Sequence, residues 1–118
     1  MTNELTNTYK IYEIVVVPFP FTDQEKSKIR PVLILSSEIF NAKNGKSLMA
    51  MITSNTGKEL WANDVEIKHL NPTGLEEESL VRFKIFTIDH KLIRARIGFL
   101  HAEDIKAIQA TLKKVLRI

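Results

Sequence analysis

The chain has no cysteine among its 118 residues. Disulfides and thiolate metal sites are therefore excluded, and a reducing compartment such as the cytoplasm is compatible with the composition. No apolar run reaches the length of a membrane span, and the N-terminus lacks the apolar core of a signal peptide. The four glycines form no phosphate-cradling loop, and no Ser/His/Asp arrangement is visible. His69, His90 and His101 stand in separate stretches without ligand spacing, so neither a metal nor a cofactor is expected. Repeats and linkers are absent. Seventeen basic against fourteen acidic side chains leave a net charge of +3. That excess is too small to demand a nucleic-acid partner, but it permits one if the charges are segregated.

What is present is enough for one core. The expected organisation is a loose polar tail over 1–8 and a single domain over 9–118. Two apolar, β-branched runs frame a charged connection. The first, 14–21, carries Pro18 and Pro20, which argue for an edge or bulged strand end. The second, 32–35, has no polar residue and is expected to be a central strand buried on both faces. Pro31 lacks an amide hydrogen and suits the first residue of that strand, which places Arg30 at its mouth. The connection between the runs holds Asp23, Glu25, Lys26 and Lys28; as charges alone they suit a solvated turn.

Downstream, Asn44-Gly45 reads as a hairpin turn between the second strand and a third over 47–54. Residues 64–68 alternate polar and apolar, as a half-exposed fourth strand does. A fifth strand is expected over 79–89, a helical turn over 90–93, and a short last strand over 94–100 with a bend at Gly98. Residues 102–117 carry apolar side chains at 105, 108, 112, 115 and 116, the stripe of an amphipathic helix. Glu103 and Asp104 open that helix and Lys113 and Lys114 close it, which suits its dipole. No Ser, Thr, Asp or Asn precedes it as a cap. Trp61, the one tryptophan, is open to packing on the sheet, contacting a partner or stacking on a base.

Four motifs in order carry a resemblance. Phe19-Pro20-Phe21-Thr22-Asp23 is followed by Arg30-Pro31-Val32-Leu33-Ile34-Leu35-Ser36. Met49-Ala50-Met51-Ile52-Thr53-Ser54 comes next, then a run with Ser79, Val81, Arg82, Thr87, Ile88 and Asp89. Together these resemble the MazF/PemK/Kid family of bacterial toxins over about 12–117. The resemblance implies a mostly β, SH3-like barrel with a C-terminal helix. It also implies a homodimer, an antitoxin partner with a disordered acidic tail, and DNA binding through the antitoxin complex. The implied activity is that of a toxin in a type II toxin–antitoxin system: a metal-independent, sequence-specific endoribonuclease (an mRNA interferase) in the cytoplasm. It cuts single-stranded RNA to leave 2′,3′-cyclic phosphate and 5′-hydroxyl ends.

Carried over residue by residue, the resemblance points to Arg30 and Thr53 as catalytic, facing each other across neighbouring strands. Glu25 is a weaker candidate for the base or for orienting Arg30. Lys26, Lys28, Ser54, Arg82 and Lys84 are the candidate RNA contacts. The chemistry of these side chains agrees: a guanidinium matches phosphate oxygens, and a hydroxyl donates to the same phosphate. One departure matters. Where some members have an aspartate or glutamine after the arginine, this chain has Phe83-Lys84, so a mechanism needing an acid there does not transfer. That keeps a rival open, a non-catalytic nucleic-acid or protein-binding module on the same barrel. A gyrase-inhibiting toxin is disfavoured, because such toxins typically carry a tryptophan near the C-terminus and this chain ends Leu116-Arg117-Ile118.

Overall fold

The 32–35 run is the centre of the molecule. In the computed structural model, which describes residues 8–20, 28–54 and 59–118, all of it but Leu35 belongs to strand β2. Six strands form one curled antiparallel sheet: β1 (Glu13–Phe19), β2 (Lys28–Ile34), β3 (Lys46–Ser54), β4 (Val65–Glu66), β5 (Ser79–Asp89) and β6 (Ala95–Phe99). Their order across the sheet is β4-β5-β3-β2-β1-β6. Helix α1 (Glu38–Asn44) lies between β2 and β3, a 3-10 turn (His90–Leu92) follows β5, and helix α2 (Ala102–Leu116) ends the chain. The mostly β, MazF-type architecture expected from the sequence is the one found.

Both sheet faces are buried, which is why β2 needs an unbroken apolar run. Ile14, Leu33, Ala50, Ile52 and Val81 join Leu100 and Ile108 on one face, with Ile105 and Leu112 of α2 packed against them. Val15, Val17, Val32, Ile34, Met49 and Ile88 form the core of the other. Successive strand residues alternate between the two clusters, as a pleat requires. Each fully buried aliphatic side chain contributes roughly 1.5–3 kcal/mol.

Several expected elements differ. Asn44-Gly45 does not make a hairpin turn: residues 38–44 are helical, with the Ser37 hydroxyl accepting the Phe40 N–H at 3.2 Å as N-cap. Gly45 closes the helix in the left-handed region at φ 63°, a conformation that the Asn-Gly pair satisfies as readily as a hairpin does. Ile39 and Phe40 are exposed. Asn41 is instead the buried residue. Its amide donates to the carbonyls of Tyr9 and Ser36, and its oxygen accepts the Ser36 hydroxyl.

Strand β1 is internal rather than an edge, yet β6 pairs only with Glu13 to Val16, so Pro18 lies beyond that ladder. β4 is two residues long. Gly98 is a close-approach residue: a Cβ there would stand 2.4 Å from the Pro72 carbonyl oxygen. The missing cap of α2 is His101, whose Nδ1 accepts the Glu103 N–H at 3.1 Å. Its ring stacks on His69 at 4.0 Å, so two histidines expected to be scattered meet. Of the expected tail 1–8, only Thr8 lies among the described residues, and it is buried.

Candidate nucleic-acid cleavage site

Arg30 is placed by register. β2 pairs with β3 through Val32↔Met51, Leu33↔Ala50 and Ile34↔Met49. Continued by two residues, that register sets Arg30 opposite Thr53. On its other side Arg30 pairs with Val17 of β1. The period of two puts Arg30, Val32 and Ile34 on one face, together with Met49, Met51 and Thr53. The site is thus the polar end of the face whose far end is the second core cluster. Rigid strands on both sides hold the two side chains, which favours a fixed geometry.

Arg30 and Thr53 line two clefts together. One, of about 220 Å3, also has Phe19, Met51, Trp61, Arg82 and Lys84 on its walls. The other, of about 290 Å3, is walled by Ser54, Leu75, Glu76, Glu77 and Ser79. Arg30 is exposed, and among the described residues no side chain or carbonyl is bonded to its guanidinium. Thr53 and Ser54 are half-buried. One flank is therefore cationic and aromatic, whereas the other is acidic.

Arg82 behaves differently from Arg30. Its Nε and Nη2 donate to the two carboxylate oxygens of Asp64 at 3.2 and 2.8 Å, and Nη2 also reaches the Glu59 carbonyl at 3.1 Å. Its guanidinium carbon lies 4.9 Å from the centre of the Trp61 ring. Asp64 Oδ2 accepts the Trp61 N–H at 2.8 Å, and Asn63 sits in the left-handed region at φ 68°, a conformation asparagine tolerates. Burial opposes ionisation of Asp64 most strongly. The hydrogen bonds from Arg82 and Trp61, with the charge of Arg82, outweigh it and hold the carboxyl below its ordinary value. Asp64 in turn raises the Arg82 pKa by hydrogen bonding, against desolvation.

The other expected residues divide. Lys28 is exposed at the start of β2. Lys84 is exposed and lies in a bulge: Ala50 pairs with Ile85 while Met51 pairs with Arg82, leaving Phe83 and Lys84 unopposed. Bulges re-aim side chains beside functional sites. Glu25 and Lys26 lie outside the described residues. Sequence reasoning missed Asp64 and Glu59 as the partners of Arg82, and did not single out Glu76 and Glu77 as site residues. They are exposed, yet they wall the cleft that holds Arg30.

A model of the PemK-like, MazF-like toxins of type II toxin–antitoxin systems matches residues 10–116. The chain belongs to this family. Solved structures agree in fold. A MazE–MazF complex from Deinococcus radiodurans superposes with a TM-score of 0.73 at 18% identity, covering 94% of this chain and 98% of the other. The Mycobacterium tuberculosis toxin MazF-mt6 gives 0.69 at 24% identity over 90% and 97% of the two chains. A mycobacterial endoribonuclease bound to its cognate antitoxin gives 0.71 at 13% identity over 95% and 96%. At such identities the likeness carries the fold alone. No curated protein matches in sequence. Among the described residues no helix of this MazF-like chain is long and apolar enough to cross a membrane.

Proposed function

We propose that this MazF-like toxin is an endoribonuclease that cuts single-stranded RNA at the Arg30–Thr53 site. The observation that carries the reading is an exposed arginine, unpartnered among the described residues, fixed by register opposite a threonine hydroxyl in shared clefts. RNA supplies its own nucleophile. The 2′-oxygen attacks phosphorus and its proton passes to a base; the P–O5′ bond breaks, and O5′ leaves as a hydroxyl after taking a proton. The products are a 2′,3′-cyclic phosphate and a 5′-hydroxyl end. The guanidinium of Arg30 stabilises the charge on the phosphorane, and the Thr53 hydroxyl donates to the same group. The exposed Lys28 and Lys84 attract the backbone, and Ser54 lines the cleft beside Thr53. Arg82 supports the wall of the site rather than contacting phosphate directly. The chemistry requires no metal. A homodimer in the cytoplasm, held in check by an antitoxin with an acidic disordered tail, completes the reading.

Lys84, standing in the bulge where some relatives have an acid or amide, favours a second reading: a module that binds RNA without cutting it. One experiment separates the two. Purified protein is incubated with a long single-stranded RNA in EDTA, beside Arg30→Ala and Thr53→Ala, and fragment ends are mapped. Discrete cuts with 5′-hydroxyl ends, lost in both variants, are expected. Intact RNA across several sequences, with the protein folded and bound, would transfer the assignment to the binding module.

A further inference from the structure

Trp61 is the feature that the cleavage chemistry leaves unused. It is 45% exposed, unusual for so large an aromatic, and it is not loose. Its backbone N–H donates to the Asp64 carboxylate, its backbone carbonyl accepts the Asp64 N–H at 3.2 Å, and the Arg82 guanidinium lies over its ring. Asp64 is brought to Arg82 by the short β4 strand: Val65 pairs with Val81, so Asp64 falls opposite Arg82. The β4–β5 ladder thus fixes an indole at the rim of the cleft that holds Arg30, Thr53 and Lys84.

Resting on the RNA-cleavage reading above, we infer that Trp61 is a stacking platform for a nucleobase flanking the phosphate seated at Arg30 and Thr53. Three observations converge on a base rather than an apolar protein side chain. The same cleft presents Arg30 and Lys84, cations suited to a polyanion. The Trp61 backbone is pinned by Asp64 and the Arg82 guanidinium lies over its ring, so less ordering entropy is lost when a flat ligand docks. Arg82, neutralised by Asp64, leaves the platform's flank a hydrogen-bonded ion pair rather than a second phosphate site. Base–aromatic stacking tolerates any base, so Trp61 adds affinity and fixes the position of the strand while leaving sequence choice to other contacts. A merely structural Trp61, covering the Asp64–Arg82 pair, makes a different prediction: its loss lowers stability and leaves RNA binding unchanged.

The test exploits Trp61 as the sole tryptophan of the chain. A short RNA spanning one mapped cut, with 2′-deoxyribose at the scissile nucleotide to prevent cleavage, is titrated into wild-type protein and tryptophan fluorescence is followed. Quenching is expected. Binding of a labelled copy to Trp61→Leu is expected to weaken by about tenfold or more, with Trp61→Phe intermediate and both variants melting near the wild type. Abasic substitution at one flanking nucleotide should cost the wild type the same factor and cost Trp61→Leu nothing further. Normal cleavage with no quenching, and wild-type RNA affinity in Trp61→Leu, overturns the platform while leaving the nuclease standing. If the long RNA is never cut, it becomes the titrant. Quenching together with weaker binding by Trp61→Leu then keeps the platform and discards the nuclease; no binding discards both.

Discussion

Arg30 and Arg82 flank the same strand, β3, one on β2 and the other on β5, yet they serve different ends. Arg82 has an acid delivered to it: the β4–β5 register sets Asp64 opposite, and the pair is bidentate with the carboxylate 8% exposed. Arg30 pairs across the ladder with Val17 and shares two clefts with Thr53, and neither of these bears charge. A guanidinium with no counter-ion among the described residues keeps its donors for a ligand, whereas Arg82 has already committed Nε and Nη2. On the cleavage reading, availability rather than residue type is what separates a substrate arginine from a scaffold arginine. Both lie beside the same cleft.

The largest expected effect tests that contrast directly. Arg30→Ala should lower the single-turnover rate of RNA cleavage by about 100-fold or more, since a preorganised donor to the transition-state charge is lost. Its melting temperature should stay near the wild-type value because no bond to the described residues is broken. Arg82→Ala should do the reverse, melting well below the wild type with a much smaller loss of rate. An Arg30→Ala protein that cuts at the wild-type rate, or that melts earlier than Arg82→Ala, defeats the distinction. Arg30→Lys should recover little, because an ammonium cannot reproduce the planar fork.

Thr53→Val comes next. It keeps the β-branched shape on the strand and removes only the hydroxyl, so stability should hold while the rate falls roughly tenfold, the scale of one hydrogen bond to a charged group. Thr53→Ser should restore most of the activity. Wild-type rates in Thr53→Val would reduce this residue to a strand former and leave Arg30 to act without it.

Much of this geometry was legible before any coordinates. It was the family resemblance, not alternation by itself, that pointed to Arg30 and Thr53 facing each other across neighbouring strands, and the hairpin expected to join those strands is replaced by helix α1. The scaffold half was not legible. Asp64 reads as the polar first residue of an alternating strand, and only the long-range β4–β5 pairing makes it the partner of Arg82. Helix α1 was hidden for a similar reason. Asn-Gly suits a hairpin turn and a helix C-terminus equally, and bonds from Asn41 to Ser36 and Tyr9 accompany the helical choice. His101 was passed over as a cap because its ring nitrogen does the work usually given to a hydroxyl or carboxylate.

The smallest effect, and the finest test of the comparison, is in acid. Against the opposing effect of burial, Arg82 and the Trp61 amide hold the folded-state pKa of Asp64 below its ordinary value, so ionised Asp64 is favoured by folding. Its contribution is fully present above the unfolded value and is lost as pH falls through the depressed folded one. Asp64→Asn should therefore melt below the wild type at pH 7, and the gap should narrow as pH drops through about 4 and below. Arg30→Ala has no such carboxylate partner among the described residues, so its melting curve should run parallel to the wild type across the same range. A gap between Asp64→Asn and wild type that stays constant with pH would mean that charge is not what binds Asp64 to Arg82. A gap for Arg30→Ala that closes in acid would reveal a carboxylate partner for Arg30, and the two arginines would then differ in degree rather than in kind.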